Sequence, residues 1–583
     1  MVDARLAAEL AANVRRYRNM EMSLDDCLNQ LRTECAYGNL QVTKTYLLDL
    51  VKREYDPPPR WRPPVVQEEY EIELWDVSDQ NATALWNDWQ GDHWIYVPEW
   101  DRWIYWNGTV WEKDTDKHTH IQQSIYRWSR EYQFKVLAPC LESLRADLRE
   151  LLTQKERGDD SVVADLHFTR ERIKAVKKAL DALQSNYKMK NILSRAKNLP
   201  NVAVSQDQID IQPHLFNMQN CTYDLLLHTT YENDRDDLLT VQAPFCYDET
   251  ATSWRWQAFL EKVQPDPAIR TYLQTWAGYC LTADTREHAV NIFVGNGANG
   301  KSVYLKTLMQ MMGTYAKSTD FTMFYQNARE NPMVYKADLR GMRFVSAIET
   351  SDPNAPLNIG LIKQLASEDS IKAREMYEKP FEFKPTFKVT VALNHLPAIT
   401  EQDRGTWRRI KIVPWDVEIT DEERDLTLGE LLKYDLPGIF NWALEGLRRY
   451  QAEGLIEPAA ITNAIEDYRR EVDQFADFLS IFARTEIQGV PLKHSKLMVR
   501  AAPFFEAWQA YEDAQKVPPH LRLTQNKFGR EMSQRFRKER DQFGTLYRGV
   551  ELLDEGAMQD RLVQKLEHMT GVNYMGNLFT PKK

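Results

Sequence analysis

The stretch "HAVNIFVGNGANGKSVYLKTLMQMMG" (His288–Gly313) decides how the chain is read. A short apolar run leads into Gly295, Asn296, Gly297, Ala298, Asn299, Gly300, Lys301 and Ser302, a match to Gly-x-x-x-x-Gly-Lys-Ser, and helical spacing follows. A strand that turns through glycines into a helix N-terminus gathers backbone N–H groups around a phosphate. Lys301 is expected to reach the β- and γ-phosphates of ATP, and Ser302 to ligate Mg²⁺. The loop predicts an α/β nucleotide-binding core. It does not separate kinases, GTPases, transporters and DNA motors.

The apolar runs that follow narrow the choice. "MRFVSAIET" ends at Glu349, an acid at a strand end that suits a metal-bound water and the activation of an attacking water; Asp352, three residues on, is a second candidate for the role. "FKVTVALNHLP" ends at Asn394, whose amide suits a sensor of the γ-phosphate or of the attacking water, or a simple strand-ending turn. "TWRRIKIVPW" carries Arg408 and Arg409 ahead of a strand, where a guanidinium can meet the phosphates of a neighbouring subunit or form a surface ion pair. Loop, acid, amide and arginine pair follow one another through a parallel α/β pattern. A GTPase would carry an N-K-x-D guanine motif, and the chain has none.

Between the acid and the amide, "SIKARE" and "FEFKPTF" read as two strands around a tip at "MYEKP". Lys372, Arg374, Lys379 and Lys384 cluster there, giving either a basic hairpin that grips a phosphate backbone or an ordinary solvated one. A local basic element matters because the 583-residue chain has a net charge of -11, which argues against a protein coated in basic surface. Hydrophobic residues make up 43% and charged residues 27%, enough for several domains with ordinary cores. The polar start and the lack of an apolar run of about 18 residues predict no signal peptide and no membrane span, hence a cytoplasmic protein. Cys27, Cys35, Cys140, Cys221, Cys246 and Cys280 stand singly, without zinc spacing.

Upstream, residues 1–55 read as a small helical module, with Ser23 capping a helix, and 56–70 as a Pro-rich linker. Residues 71–270 form a further region. Nine of the chain's 17 tryptophans fall between Trp61 and Trp111, where alternating aromatics around "PEWD" and "NG" predict a small antiparallel sheet. Those indoles either stack on bases or, as we expect, fill the core of the sheet. Charged helices are expected from 120 to 200 and short strands from 203 to 250. The core is bounded at 271–420, a helical extension at 421–485 and a last domain at 486–583. That last region reads as helix, break, helix and strand pair, a winged-helix-like order. Its second helix is taken to carry Lys527, Arg530, Arg535, Arg537, Lys538 and Arg540, facing either a DNA groove or a protein partner.

"GNGANGKS", "FVSAIET", "IKQLASEDSIKARE", "YEKPFEFKPTFKVTVALNHLP" and "DRGTWRRIKIVPW" resemble the superfamily 3 helicase core, more narrowly the phage/plasmid primase–helicase family related to the poxvirus primase–helicase. The resemblance is strong over 285–480 and weaker upstream. It implies an AAA+ fold, a hexameric ring and ATP-driven movement on single-stranded DNA in replication of a phage or mobile element in a bacterial cell. It gives Lys301 and Ser302 the phosphate and Mg²⁺ roles, Glu349 the metal and acid role, Asn394 the sensor role, and Arg408 or Arg409 the finger acting in trans. The hairpin with Lys372, Arg374 and Lys379 would touch DNA. Related proteins often carry a primase domain; the first 140 residues offer no convincing D-x-D strand followed by S-x-H, so a separately encoded primase or polymerase is the expected partner. Two other classes stay open: an ATP-dependent origin-binding or loading factor without processive unwinding, and a metabolite kinase indifferent to DNA.

Overall fold

A computed structural model describes residues 2–20, 22–38, 40–55, 74–115, 117–324, 332–348, 358–374, 380–396, 404–472, 474–485, 496–514, 522–554, 557–558 and 561. Glu349, Asp352, Lys379 and the Pro-rich stretch lie outside the described residues. The chain forms two compact units, residues 1–397 with 408–461, and residues 398–407 with 462–583.

The first unit is mixed α/β, built on a five-stranded parallel sheet. In chain order its strands are β1 (Val290–Val294), β2 (Ala316–Ser318), β3 (Phe344–Ile348), β4 (Lys388–Leu393) and β5 (Ile410–Pro414). Their spatial order is β5-β1-β4-β3-β2, and every pairing is parallel. Four of the five were legible as apolar runs; the three-residue β2 was not. Each of the four long strands carries a polar residue at the same register position. Asn291, Thr390, Ser346 and Lys411 share one register row, and all are buried. Register puts them on the same face, because side chains alternate along a strand. Each has a partner: Tyr272 Oη donates to Asn291 (2.7 Å), Trp276 Nε1 to Thr390 (3.0 Å), Ser346 Oγ to the Met309 sulfur (2.8 Å), and Lys411 pairs with Glu457. Helices Pro267–Leu281 and Lys301–Met312 therefore cover this face at fixed positions, since a buried polar group left without a partner is costly.

Helix Pro267–Leu281 in turn crosses helix Leu436–Glu453 at backbone contact. A Cβ on Gly446 would lie 1.8 Å from the Gln274 carbonyl oxygen, and one on Gly278 would lie 2.1 Å from the Leu447 nitrogen, so only glycine fits either side of the crossing.

The N-terminal helices Ala4–Asn19, Leu24–Tyr37 and Lys44–Tyr55 share a core that includes Leu226. Ser23 caps the second helix by accepting from the Asp26 N–H, as read from sequence. Tyr46 Oη donates to the Leu226 carbonyl (3.0 Å), Thr43 N–H to that of Gln451 (2.8 Å), and Arg286 grips Asp49 with two contacts (3.0 and 3.1 Å). These long-range contacts tie the helices to the rest of the unit.

The Trp-rich segment is the expected antiparallel sheet, Trp94–Val97, Arg102–Trp106 and Trp111–Lys113, turning at 98–101 and at Asn107-Gly108. Trp94, Tyr96 and Trp103 face the helices on one side, where Trp103 meets Trp86 edge-on at 6.3 Å, while Ile95, Val97, Ile104 and Trp111 pack with Val204, Ile209 and Leu238. Burial on both faces makes these indoles core and leaves Trp86, Trp94, Trp103 and Trp111 no face for a base. Charged helices Ala138–Glu156 and Val163–Leu183 follow, then the short sheet Leu215–Asn217, Thr222–Asp224, Thr229–Tyr231.

In the second unit, helix Gln474–Phe482, strand Met498–Arg500, helices Ala501–Ala514 and Gln525–Arg535, and strands Arg537–Asp541 and Gly544–Arg548 follow in chain order. The last strand pairs between the other two, completing a winged-helix arrangement. The helix ends at Arg535, so Arg537, Lys538 and Arg540 sit on the first wing strand and not on the helix. Charge hid the alternation there: Phe536 turns into the core, and every side chain of the strand after it is charged.

Candidate functional site

The loop after β1 is held open by its own side chains. Lys301 opens the helix behind it and is buried, and its Nζ donates to the Gly295 carbonyl (2.6 Å) and to Asn299 Oδ1 (3.0 Å). Asn299 in turn donates from Nδ2 to the Trp415 carbonyl just past β5 (2.9 Å). The amide of Asn299 thus ties the loop to β5 and aims the lysine. Gly297, Ala298 and Gly300 take φ of 97°, 46° and 84°, the left-handed region that turns successive N–H groups inward. A Cβ on Gly295 would meet the Trp415 carbonyl oxygen at 2.1 Å, so the approach of loop to β5 needs glycine there.

Around the loop is a cavity of about 680 Å³, within the range of small-molecule and cofactor sites. Gly297 to Ser302 form its floor, with Ser302 exposed towards it. Asn394, one residue past β4, and Ile348, the last residue of β3, line the same space. Parallel order explains the meeting: β4 lies between β1 and β3, so all three carboxyl ends open at one edge. Ile348 immediately precedes Glu349 in sequence.

The rest of the cavity wall was not legible in the sequence. Trp254, Phe259, Ile419, Arg424, Leu428 and Leu431 line it, and no motif marks them. Trp254 is 67% exposed, while Arg255 lies over its ring at 5.0 Å and pairs with Asp435 at 3.1 Å. Ile419 donates its N–H to the Ala298 carbonyl (2.9 Å), so these apolar side chains adjoin the loop, and with Lys262, Glu423 and Asp425 they give the cavity a mixed lining suited to a nucleotide's base and phosphates.

The arginine pair is elsewhere. Arg409 accepts the Val290 N–H on its carbonyl (2.7 Å), and Ile410 registers with Val290. Both arginines thus stand at the amino end of the sheet, a strand length of about 16 Å from the loop at ~3.3 Å per residue. Arg408 is exposed. Neither reaches the cavity of its own chain.

The expected hairpin is present: Ile371–Ala373 pairs antiparallel with Phe381–Phe383. Lys372 is largely exposed and pairs with Glu382 across the strands (3.5 Å), whereas Arg374 carries a buried Nε without a hydrogen-bond partner. Among the described residues there is no cluster of three His, Cys, Asp or Glu side chains able to hold a metal, and no helix is long and apolar enough to cross a membrane.

Residues 83–265 match the family described as D5 N terminal like, and residues 293–409 match a family of unknown function, DUF5906. A protein of Acanthamoeba polyphaga mimivirus named "Putative helicase L207/L206" is 29% identical over 294 residues, covering 46% of this chain and 30% of that protein. "Putative helicase 184R" of Invertebrate iridescent virus 6 is 24% identical over 355 residues, covering 56% and 36%. "Putative primase C962R" of African swine fever virus is 21% identical over 256 residues, covering 42% and 26%. The match thus spans about a third of these relatives' own length. Among solved structures, the NrS-1 C terminal region matches with a TM-score of 0.35 at 14% identity, over 49% of this chain and 65% of that one.

Proposed function

From the premise that this chain is a relative of the viral primase–helicases, we propose that it is an ATP-driven DNA helicase motor of the AAA+ type, working as a homo-hexameric ring in the replication of a virus or mobile element. The observation that carries the proposal is the single cavity onto which Gly297–Ser302, Asn394 and the residue before Glu349 all open. The strand order, with β4 inserted between the loop strand and the acid strand, supports the AAA+ reading.

The loop N–H groups and Lys301 bind and orient the triphosphate of ATP, whose oxygens compete with Gly295 O and Asn299 Oδ1 for the ammonium. Ser302 would hold Mg²⁺, with Glu349 as the acidic partner, and the ion would supply neutralisation of charge on the phosphate oxygens. Glu349 withdraws the proton of the attacking water while Asn394 fixes that water's orientation. Arg408 or Arg409 completes the site of the neighbouring subunit, since neither reaches its own. The hairpin bearing Lys372, Arg374 and Lys379 holds the phosphate backbone of single-stranded DNA that hydrolysis moves. No priming role is proposed, and a separate primase or polymerase is the partner we expect.

One observation favours a second reading. The winged-helix arrangement in the 462–583 unit suits an origin-binding or loading factor that holds duplex DNA without processive unwinding. ATP hydrolysis measured with and without single-stranded DNA, alongside imaging with an ATP analogue and forked DNA, tests the motor. Rings and DNA-stimulated hydrolysis are expected. Hydrolysis indifferent to DNA by a monomer would overturn the proposal.

A further inference from the structure

The wing of the 462–583 unit ends in a phenylalanine held out of the core. Strands Arg537–Asp541 and Gly544–Arg548 pair in register from Arg537↔Arg548 to Asp541↔Gly544, which leaves Gln542 and Phe543 as the two-residue tip. Such tips normally carry Asn, Asp or Gly. Phe543 is 73% exposed, yet its position is fixed. The Asp541 carboxylate accepts the Phe543 N–H (2.8 Å) and both terminal nitrogens of Arg500 (3.2 and 3.0 Å). The Arg500 guanidinium carbon lies 5.3 Å from the centre of the Phe543 ring. One ion pair therefore ties the neighbouring strand to the tip and stiffens an apolar side chain facing water.

Exposed basic side chains share the wing and the helix that precedes it. Glu539 is engaged by Arg537 (3.1 Å) and Arg548 (2.5 Å) on one face of the wing strand. Lys538 and Arg540 alternate with it and are exposed on the other face. Lys527 and Arg530 are exposed on the helix Gln525–Arg535. A protein-docking patch gathers apolar neighbours around its anchor and is depleted of charge at its centre. A lone fixed ring on a wing that bears exposed Lys538 and Arg540 instead matches a base step flanked by phosphates.

We propose that Phe543 is a wedge that enters the first base step of a duplex at a fork junction, with Lys538 and Arg540 on the adjoining phosphates. The junction is favoured because its last base pair has already lost a stacking neighbour, which lowers the cost of insertion. The proposal rests on the reading of DNA as this protein's substrate, but it needs no hydrolysis.

The test uses the full chain without nucleotide and a forked duplex carrying 2-aminopurine at the junction. Wild type is expected to raise the 2-aminopurine fluorescence on binding. Phe543→Ala should abolish the rise and weaken binding about 10-fold, while Phe543→Trp should restore the rise and show quenching of its own indole. Lys538→Ala with Arg540→Ala should lower the slope of log affinity against log salt by about 2. An undiminished rise in Phe543→Ala, or a Phe543→Trp variant that binds without quenching, would overturn the wedge whatever the ATPase does. A normal rise in a wild-type protein that never unwinds would leave the wedge standing and remove the helicase reading.

Discussion

The two ends of the parallel sheet are built differently. At the carboxyl end, the loop, Asn394 and the end of β3 converge on one cleft, and Lys301 is already aimed by hydrogen bonds to Gly295 and Asn299. At the amino end of the same strands, Arg408 and Arg409 sit beside the start of β1, a full strand length away, and do not line that space. The contrast teaches that a phosphate-binding half-site and a pair of charges suited to phosphate can occur in one chain without meeting. In the proposed ring a second copy brings them together.

The largest effect is expected from breaking that division. Arg408→Ala or Arg409→Ala, whichever is the finger, should lower ATP turnover about 10³-fold while nucleotide binding is preserved. Mixing that variant with a Lys301→Ala variant should restore hydrolysis at the mixed interfaces, because each supplies what the other lacks. Recovery of activity in mixed rings is the measurement. Equal loss of nucleotide binding in the arginine variant would mean that it acts within its own chain.

A second effect belongs to the scaffold that carries both ends. His228 is buried, with Nε2 against Gln451 (2.6 Å), Nδ1 near Tyr223 Oη, and Asp224 and Arg448 close by. Burial pushes its imidazole down to about 4. Unfolded chains take up this proton below about 6.5, and the folded one does not until about 4, so stability falls as pH drops through that window and the loss levels off below it. The full difference is about 3 kcal/mol. Denaturation midpoints of wild type and His228→Gln across pH 4–7 check this; the variant should show the shallower slope.

A smaller effect separates the sensor from the binding loop. Asn394→Ala should reduce turnover about 10–100-fold and leave the ATP dissociation constant nearly unchanged. A matching loss of affinity would place the amide in binding and not in the reaction. Smallest is Thr390→Val, in the middle of the sheet. It strands the Trp276 Nε1 donor and should cost about 1–2 kcal/mol of stability without altering turnover at either end, as thermal unfolding and steady-state rates would report.

What the sequence made legible was local. The loop spacing, the four long strands, the hairpin pairing and the PEWD and NG turns all follow from residues close together in the chain. The apolar part of the cavity lining did not, because Trp254 and helix Leu428–Leu431 come from segments far apart, and each alone reads as a surface hydrophobe. The crossing at Gly278 and Gly446 was invisible for the same reason. The polar row Asn291, Thr390, Ser346 and Lys411 was visible residue by residue, but its meaning needed the register. Arg537, Lys538 and Arg540 were read onto a helix because charge concealed a two-residue alternation that only Phe536 and the wing contacts reveal.

The most direct test of the motor is strand separation on a forked duplex, measured with ATP in wild type and Lys301→Ala side by side. Wild type should separate the strands in step with hydrolysis, and the variant should do neither. A wild-type protein that hydrolyses ATP without parting the strands, alone or with its replication partners, would contradict it, as would a variant that still unwinds.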